Sequence, residues 1–305
     1  MHDVIIIGAG PAGYTAGIYC SRARHDTLLI SGILPGGQLM NTTDVENYPG
    51  FSDGIMGPDL MTVMRKQTEK MGTKIIDDEV TSVDFKNRPL KVKTASEEFE
   101  ARAVIVCTGA NPRKIGLEGE QTFAGKGVSY CATCDGAFFR DQELIVVGGG
   151  DSAMEEAIFL TKFASVVHIV HRKEEFRASK IMQERALSNE KIKVHFNSTV
   201  KEIHGDQKFQ QVVLNNTKTN EDKILEAGGL FIAIGHEPNS AIFQDQIELD
   251  RNGYMIIKNN TETSVTGVFC AGDVHDHRYR QAITAAGFGC MAAIDVDKHL
   301  SESNT

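Results

Sequence analysis

The sequence lacks the long apolar stretch that a membrane-spanning helix requires, because no run of about 18 consecutive apolar residues occurs in it. It also lacks a basic surplus: 32 Lys and Arg stand against 41 Asp and Glu, a formal net charge of -9. Nucleic-acid binders need a basic surface, so the charge disfavours that class. The apolar residues 4–13 have the hydrophobicity of a signal-peptide core, but Asp3 precedes them and glycines interrupt them. We therefore expect a cytoplasmic protein.

Cysteine is scarce and is clustered at one place only, in the CxxC of Cys131 and Cys134. In an intracellular chain such a pair is more often catalytic or metal-binding than a structural disulfide. Zinc would need two more ligands, but the sequence has no second CxxC, CxxH or HxxxH, and His275 and His277 have no adjacent thiol. We expect no metal site. The other four cysteines stand singly among apolar residues, which predicts buried structural thiols: Cys20, Cys107, Cys270 and Cys290.

Two stretches of the chain repeat one pattern, and its 305 residues allow two domains. Residues 4–13, VIIIGAGPAG, predict a buried strand followed by G-x-G-x-x-G, and residues 144–153, LIVVGGGDSA, repeat this with alanine at the third position. An amphipathic helix follows each copy. The first glycine permits a tight turn, the second lets a pyrophosphate approach the backbone, and the third position packs helix on strand. The repeat predicts two dinucleotide sites in an α/β protein, at Gly8, Gly10, Gly13, Gly148, Gly150 and Ala153.

The end of the next strand in each copy indicates which nucleotide is bound. The second copy continues as HRKEEFR, whose bases suit the 2′-phosphate of NADPH because guanidinium groups bind phosphate through two hydrogen bonds. A solvated helix start, with Glu174 and Glu175 balancing the bases, is the alternative. The first copy ends at Ser31, where an acid that binds ribose is expected. We predict NADPH at the second copy, through His171, Arg172, Lys173 and Arg177.

The C-terminal region predicts how the first site is completed. Residues 267–273, GVFCAGD, predict a strand that ends in Gly272 and Asp273, and a long helix pattern starts at Ala282. An acid at a strand end beside a helix start can bind a ribityl hydroxyl. The pairing with an N-terminal G-x-G-x-x-G predicts FAD at the first site.

Several further motifs appear in a fixed order: GGQL at residues 36–39, ENYPG at 46–50, CATCDG at 131–136, HRKEEFRA at 171–178 and GDVHDHRYRQAITAAGFGCMAA at 272–293. Together with the two glycine repeats they resemble the low-molecular-weight bacterial and archaeal type of thioredoxin reductase over nearly the whole chain. The resemblance implies a homodimeric flavoenzyme that passes electrons from NADPH through FAD and a redox disulfide to thioredoxin.

The resemblance also implies the cofactor contacts. Members of this family commonly lack the acid at the position of Ser31 and hold FAD through the following loop, up to Leu39. The remaining FAD contacts carried over to this sequence are Pro11, Ala12, Gly36, Gly37, Gln38, Asn47, Arg280, Gln281 and Ala282, and those of NADPH include Asp151 and Ser152.

Because the FAD residues lie near both ends of the chain, the NADPH domain must be an insertion. We place the FAD domain at residues 1–112 and 244–305 and the NADPH domain at 113–243. Both domains are expected to be Rossmann-like. The crossings contain Gly109 with Pro112 and Gly235 with Pro238, which break regular structure and suit hinges. We expect the NADPH domain to rotate, since nicotinamide and dithiol must each reach the same flavin.

The CxxC is then a dithiol relay. The family assigns Cys134 to the flavin side and Cys131 to attack on the partner disulfide. Asp135 is the expected proton donor if burial raises its pKa, and a helix cap or turn residue is the alternative. Two other functions stay open: an NADPH-dependent reductase of ferredoxin, quinone or a glutaredoxin-like protein, and a non-enzymatic redox sensor. A partner rim of exposed bases and aromatic residues is also predicted, although the aromatic residues could instead be core: Lys126, Phe138, Phe139 and Arg140.

Overall fold

The apolar runs of the sequence form parallel strands in a computed structural model of the protein, which describes residues 1–33 and 35–302. The strands are β1 His2–Ile7, β2 Thr27–Ile30, β3 Asp44–Val45, β4 Ile55–Met56, β5 Lys74–Ile76, β6 Val80–Asp84, β7 Leu90–Thr94, β8 Glu98–Val106, β9 Ala110–Pro112, β10 Val128–Ser129, β11 Glu143–Val147, β12 Val166–Val170, β13 Ile192–His195, β14 Ser198–Gly205, β15 Phe209–Asn216, β16 Asp222–Glu226, β17 Gly229–Ile232, β18 His236–Pro238 and β19 Val268–Cys270. The α-helices are α1 Pro11–Arg22, α2 Gly57–Lys70, α3 Glu118–Thr122, α4 Ala132–Asp135, α5 Asp151–Leu160, α6 Lys180–Leu187 and α7 Ala282–Glu302.

The chain separates into two compact units, the first comprising residues 1–111 with 237–305 and the second residues 112–236. In the first unit, β1 lies in a sheet of order β5-β2-β1-β8-β7-β6, and β19 also pairs with β8. The strands β5, β2, β1, β8 and β19 run parallel. Ile6 faces one hydrophobic core of this unit while Ile5 and Ile7 face the other. A strand buried on both faces has to be continuously apolar, as the VIII run is.

The second unit repeats this arrangement. Its parallel sheet has the order β10-β17-β11-β12-β13, and β14, β15 and β16 form a separate antiparallel sheet. Leu144 and Val146 of β11 face one core and Ile145 faces the other. The expected α/β class with two parallel-sheet units is confirmed. In the described part of the chain, no helix combines the length and the hydropathy of a membrane span.

The first boundary differs from the sequence-based plan by one residue, Pro112, and the second differs more, since the plan placed residues 237–243 in the inserted domain. By contacts these residues belong to the first unit. The physical reason is Phe243, which is fully buried and stacks on Phe85 with 6.2 Å between ring centroids. Residues 303–305 lie outside the described part.

Helix α7 crosses α1 at very close range. A Cβ atom added at Gly289 would lie 2.1 Å from the carbonyl oxygen of Ala12, whereas no described atom lies within 4 Å of the same position at Gly287. The two glycines share a helix but differ in surroundings, which makes them a matched pair for testing the packing.

We expect Gly289→Ala to destabilise the protein by about 1–3 kcal/mol, since overpacking against main chain forces the two helices apart. Gly287→Ala should stabilise it by about 0.5–1 kcal/mol through the helix propensity of alanine. Calorimetric unfolding of both variants measures the difference. Equal transition temperatures would contradict the close approach of α1 and α7.

Candidate active site

The first glycine turn joins β1 to α1. A Cβ atom at Gly8 would lie 2.4 Å from the carbonyl oxygen of Cys107, and one at Gly13 would lie 1.9 Å from that of Gly8. Gly8 also has a φ of 107°, in the region that favours glycine. Gly10 is different, because no described atom lies within 4 Å of its Cβ position. The turn is therefore closed on its protein side and open at Gly10, as approach of a pyrophosphate requires.

Other predicted residues gather beside this turn. The N–H of Gly36 donates to the carbonyl oxygen of Ala9 at 3.0 Å, which lays the loop before Leu39 against the turn. Residue 34 of that loop lies outside the described residues. The amide of Asn47 donates to Oε1 of Gln281 at 3.4 Å, although 234 residues separate them in sequence. Gly37, Gln38 and Leu39 begin a 3-10 helix, Gly37–Asn41.

Asp273 lies between β19 and α7, and its Oδ1 atom is buried with no hydrogen-bond partner among the described residues. Burial and the charge of Asp276 raise the pKa of Asp273 to about 7, against the opposing effect of Arg280. A buried carboxyl oxygen without a partner costs free energy, so a ligand hydroxyl that donates to it would be favoured. Gly272 packs on α1: a Cβ atom there would lie 3.1 Å from that of Ala12. These features fit a flavin nucleotide at the first turn.

An acid at the end of the strand next to β2 contacts Ser31. The hydroxyl of Ser31 donates to Oδ1 of Asp77 at 2.7 Å, and Asp77 follows β5, which pairs with β2. Arg65 donates to both oxygens of Asp77, at 2.8 and 3.0 Å, and this lowers the pKa of Asp77. Sequence reasoning missed Asp77 and Arg65. The available signal was an acid directly after the short apolar strand KII.

The second glycine turn joins β11 to α5 and repeats the first. A Cβ atom at Gly148 would lie 2.4 Å from the carbonyl oxygen of Ala233, while no described atom lies within 4 Å of that position at Gly150. Asp151 begins α5, and its Oδ1 accepts the backbone N–H and the hydroxyl of Ser179, both at 2.8 Å. Ser152 and Ala153 form the first turn of α5.

The loop of basic residues is tied to this turn, since the N–H of Arg177 donates to the carbonyl oxygen of Gly149 at 2.7 Å. Arg172, Lys173 and Arg177 are exposed, and no ion pair of theirs is found among the described residues. Glu174 instead pairs with Lys218. The bases are thus not balanced by Glu174, which favours the reading as a phosphate site.

His171 has a different environment from these bases. It is buried, its Nε2 lies 3.0 Å from the carbonyl oxygen of Glu175, and its ring stands against Gly149. Burial lowers the pKa of His171, with smaller contributions from nearby arginines. The ring therefore supports the turn in this structure, and its role as a nucleotide ligand stays a prediction.

The CxxC lies in the second unit, where a disulfide joins Cys131 and Cys134. Cys131 is the N-cap of α4, and its Sγ accepts the N–H of Cys134 at 3.2 Å. The end of helix α4 packs on the C-terminal end of α5: a Cβ atom at Gly136 would lie 2.9 Å from the side chain of Leu160. The short helix that carries the disulfide is therefore anchored on the helix that begins at the second glycine turn.

Asp135 ends α4 and hydrogen-bonds the segment before the disulfide. The hydroxyl of Ser129 donates to its Oδ2 at 2.5 Å and accepts the N–H of Cys131 at 3.0 Å. Burial raises the pKa of Asp135, and the bond from Ser129 opposes this. The side chain makes no capping bond to the following 3-10 helix, Gly136–Phe139. A carboxyl group with a raised pKa, next in sequence to Cys134, suits proton transfer.

The residues predicted to form a partner rim differ in exposure. Phe138 is 44% exposed, and Lys126 and Arg140 are also exposed. Phe139 instead packs edge-on against Phe231, with 5.4 Å between ring centroids. Only Phe138 remains as an aromatic rim residue, and Phe139 belongs to the core.

The four isolated cysteines differ in burial, whereas all four were expected to be buried. Cys20, Cys107 and Cys270 are buried, and burial raises the pKa of each thiol, to about 12 for Cys20. Cys290, on α7, is only half-buried. A single cysteine among apolar residues of a helix does not reveal which side of the helix it occupies.

Comparison with known proteins identifies the family. A family model described as pyridine nucleotide-disulphide oxidoreductase matches residues 2–289. A thioredoxin reductase of Streptomyces clavuligerus is 54% identical over 307 residues, covering 99% of this chain and 94% of that protein. A bifunctional thioredoxin reductase/thioredoxin of Mycobacterium leprae (strain TN) is 51% identical over 304 residues, covering 99% of this chain and 66% of that protein.

Among solved structures, a thioredoxin reductase from Giardia duodenalis superposes with a TM-score of 0.95 at 42% identity, over 98% of this chain and 99% of that one. The agreement thus extends from the sequence to the whole fold. The chain belongs to the thioredoxin reductases of the pyridine nucleotide-disulphide oxidoreductase family.

Proposed function

We propose that the protein is an NADPH-dependent thioredoxin-disulfide reductase that uses FAD and the Cys131–Cys134 disulfide. The observation that carries this is a disulfide at the start of α4, beside the half-buried carboxyl group of Asp135, in the unit that also holds the second glycine turn. Relatives named thioredoxin reductase support the assignment, and in one of them a thioredoxin is part of the same protein.

The two cofactors are assigned from the residues that would hold them. FAD suits the first turn, where Gly10 leaves the backbone open and Asp273 offers an unpaired carboxyl oxygen. NADPH suits the second turn, where Gly150 is open and exposed bases stand on the loop tied to Gly149. A bound flavin supplies two-electron chemistry between a nicotinamide and a disulfide.

Side chains of the protein carry out the thiol–disulfide exchange and hold the proton. Reduction breaks the Cys131–Cys134 bond and, with two electrons and two protons, gives two thiols. Asp135 holds one of these protons beside the pair. Cys131, as a thiolate, then attacks the disulfide of thioredoxin, and Cys134 resolves the mixed disulfide, which restores the internal bond and releases reduced thioredoxin. The rotation of the NADPH domain stays a prediction from the sequence.

A reductase of ferredoxin, quinone or a glutaredoxin-like protein is the second candidate. A dithiol adds a second two-electron store to the flavin, so dithionite should deliver four electrons per FAD if Cys131 and Cys134 form a relay. Acceptor identity follows from NADPH-dependent turnover with thioredoxin, with a glutaredoxin-like protein and with ferredoxin or quinone.

We also propose a homodimer. Exposed apolar side chains on α1 and α7 would be covered in it, since Tyr19, Met291 and Ile294 are 43%, 38% and 56% exposed. Sedimentation equilibrium of the FAD-loaded protein measures the association state directly.

Replacement of either redox cysteine should abolish thioredoxin reduction and leave NADPH oxidation by ferricyanide intact, because ferricyanide takes electrons without the dithiol. Cys131→Ser should in addition give a long-wavelength absorbance band from the Cys134 thiolate beside bound flavin. Cys290→Ser, which removes a thiol outside the pair, is the control. The band in Cys134→Ser instead would reverse the roles, and retained thioredoxin reduction in both variants would refute the relay.

Replacement of Arg172 and Arg177 by alanine should raise KM for NADPH and spare KM for NADH. A charge-assisted bond to the 2′-phosphate contributes about 1.5–3 kcal/mol, so the loss is roughly tenfold or more per residue. Steady-state kinetics with both nucleotides measures the effect, and Lys180→Ala on α6 is the matched control. Unchanged discrimination in the double variant would remove the bases from the nucleotide site.

Asp135→Asn should lower the rate of disulfide reduction on the order of 10²-fold, the lower end of what a general acid contributes. In the unmodified protein the rate should fall as the pH rises through the raised pKa of Asp135, because the proton-bearing form is then lost. Asparagine cannot deliver a proton, so the variant should not show this fall in rate with rising pH. Stopped-flow reduction across the pH range tests this, with Asp141→Asn as control. If Asp135→Asn kept the same fall in rate with rising pH, another group would be the proton donor.

A further inference from the structure

Glu120, on α3, is a carboxyl group that the proposed chemistry does not use, although solvent barely reaches it. Its side chain is 1% exposed. Burial of a carboxylate costs free energy unless hydrogen bonds or a cation compensate for it. No ion pair of Glu120 is found within residues 1–33 and 35–302, so hydrogen bonds must supply the compensation.

Three donors satisfy this carboxylate. Oε2 accepts the N–H of Gly116 at 2.7 Å, and Oε1 accepts the N–H of Ile115 and the hydroxyl of Tyr130, both at 3.1 Å. The phenol remains the donor, because burial and the charge of Glu120 raise the pKa of Tyr130. A buried polar group with all its partners in place makes its surroundings rigid.

Tyr130 immediately precedes the disulfide, and the residue before it is also anchored to an acid. Ser129 ends β10 and donates to Asp135 at 2.5 Å. The two residues before Cys131 therefore each donate a hydrogen bond to a carboxyl group, Ser129 to Asp135 and Tyr130 to Glu120.

We propose that Glu120 is a positioning residue for the redox-active cysteines, acting through the hydroxyl of Tyr130. The proposal rests on the proposed function and adds a part to its machinery. Its importance lies in the reduced state. Once the disulfide opens, Cys131 is no longer joined to Cys134, and the preceding backbone holds it in place. The hydrogen bond from Tyr130 to Glu120 keeps Sγ of Cys131 near the N–H of Cys134, which is 3.2 Å away in the disulfide form. This N–H donor favours the thiolate of Cys131.

The test measures Cys131 directly. The FAD-loaded enzyme is reduced with NADPH, alkylated with iodoacetamide across a pH range, and analysed at Cys131 by mass spectrometry. Tyr130→Phe keeps the ring and the Glu120 charge but removes the bond. Alkylation at pH 7 should be slower by roughly threefold or more, the change in thiolate fraction for half a pKa unit. Turnover of thioredoxin and of a small disulfide reporter should fall in parallel, while ferricyanide reduction stays unchanged.

The variant Glu120→Gln distinguishes a positioning role of Glu120 from an effect of its charge on the Cys131 thiol. Removal of a nearby negative charge by itself favours a thiolate, so a purely electrostatic role predicts faster alkylation, whereas loss of position predicts slower alkylation. Glu118→Gln makes the same change on the exposed side of α3 and should leave every rate as it was. Because Glu120→Gln also weakens acceptance from two backbone N–H groups, its unfolding transition is recorded alongside.

Three results would overturn the proposal: normal alkylation in Tyr130→Phe, faster alkylation in Glu120→Gln, or an equal loss of ferricyanide reduction. Normal alkylation with reduced turnover of thioredoxin alone would make Tyr130 a partner contact. If the unmodified enzyme reduced no protein disulfide but the alkylation rates behaved as described, the proposed function would fail and the positioning role would stand.

Discussion

The approach of main chain to main chain at the two glycine turns is the constraint on which the rest of the structure depends. At Gly13 the place of a Cβ atom is taken by the carbonyl oxygen of Gly8, and at Gly148 by that of Ala233. Helices α1 and α5 can therefore begin directly at the strand ends, with Gly10 and Gly150 left open toward a ligand. The positions of Asp273 in one unit and of the basic loop in the other follow from where these helices start.

Three carboxyl groups show how burial assigns different tasks to one functional group. Asp273 has a buried Oδ1 atom without a hydrogen-bond partner among the described residues and a raised pKa, which suits acceptance of a hydrogen bond from a ligand hydroxyl. Asp135 is half-buried with a single side-chain donor, Ser129, and its pKa is raised, which suits a group that holds and releases a proton. Glu120 accepts hydrogen bonds from three donors and is suited to hold a fixed position. The number of donors that compensate for desolvation separates binding, proton transfer and positioning.

The sequence was sufficient for the features that local physics determines. Continuous apolar runs marked the central strands, because those strands are buried on both faces, and the spacing of glycines marked both turns. Pairings across the fold could not be read in this way. Asp77 reaches Ser31 from another strand, and Glu120 reaches Tyr130 from a separate helix. Nor could the sequence separate Phe138 from Phe139, since adjacent residues at a helix end differ only in the direction of their side chains.

The unequal burial of the cysteines has a consequence for survival under oxidative stress. Peroxide attacks thiolates, and it converts them stepwise to sulfenic, sulfinic and sulfonic acids, of which the last cannot be repaired. Cys20, Cys107 and Cys270 are shielded by both burial and protonation. Cys131 and Cys134 are accessible, but each can capture a sulfenic acid formed on the other and return it to the disulfide. Cys290, half-buried on α7, would be shielded once Tyr19, Met291 and Ile294 are covered in the proposed homodimer, so oxidation would then be confined to the pair that can reverse it.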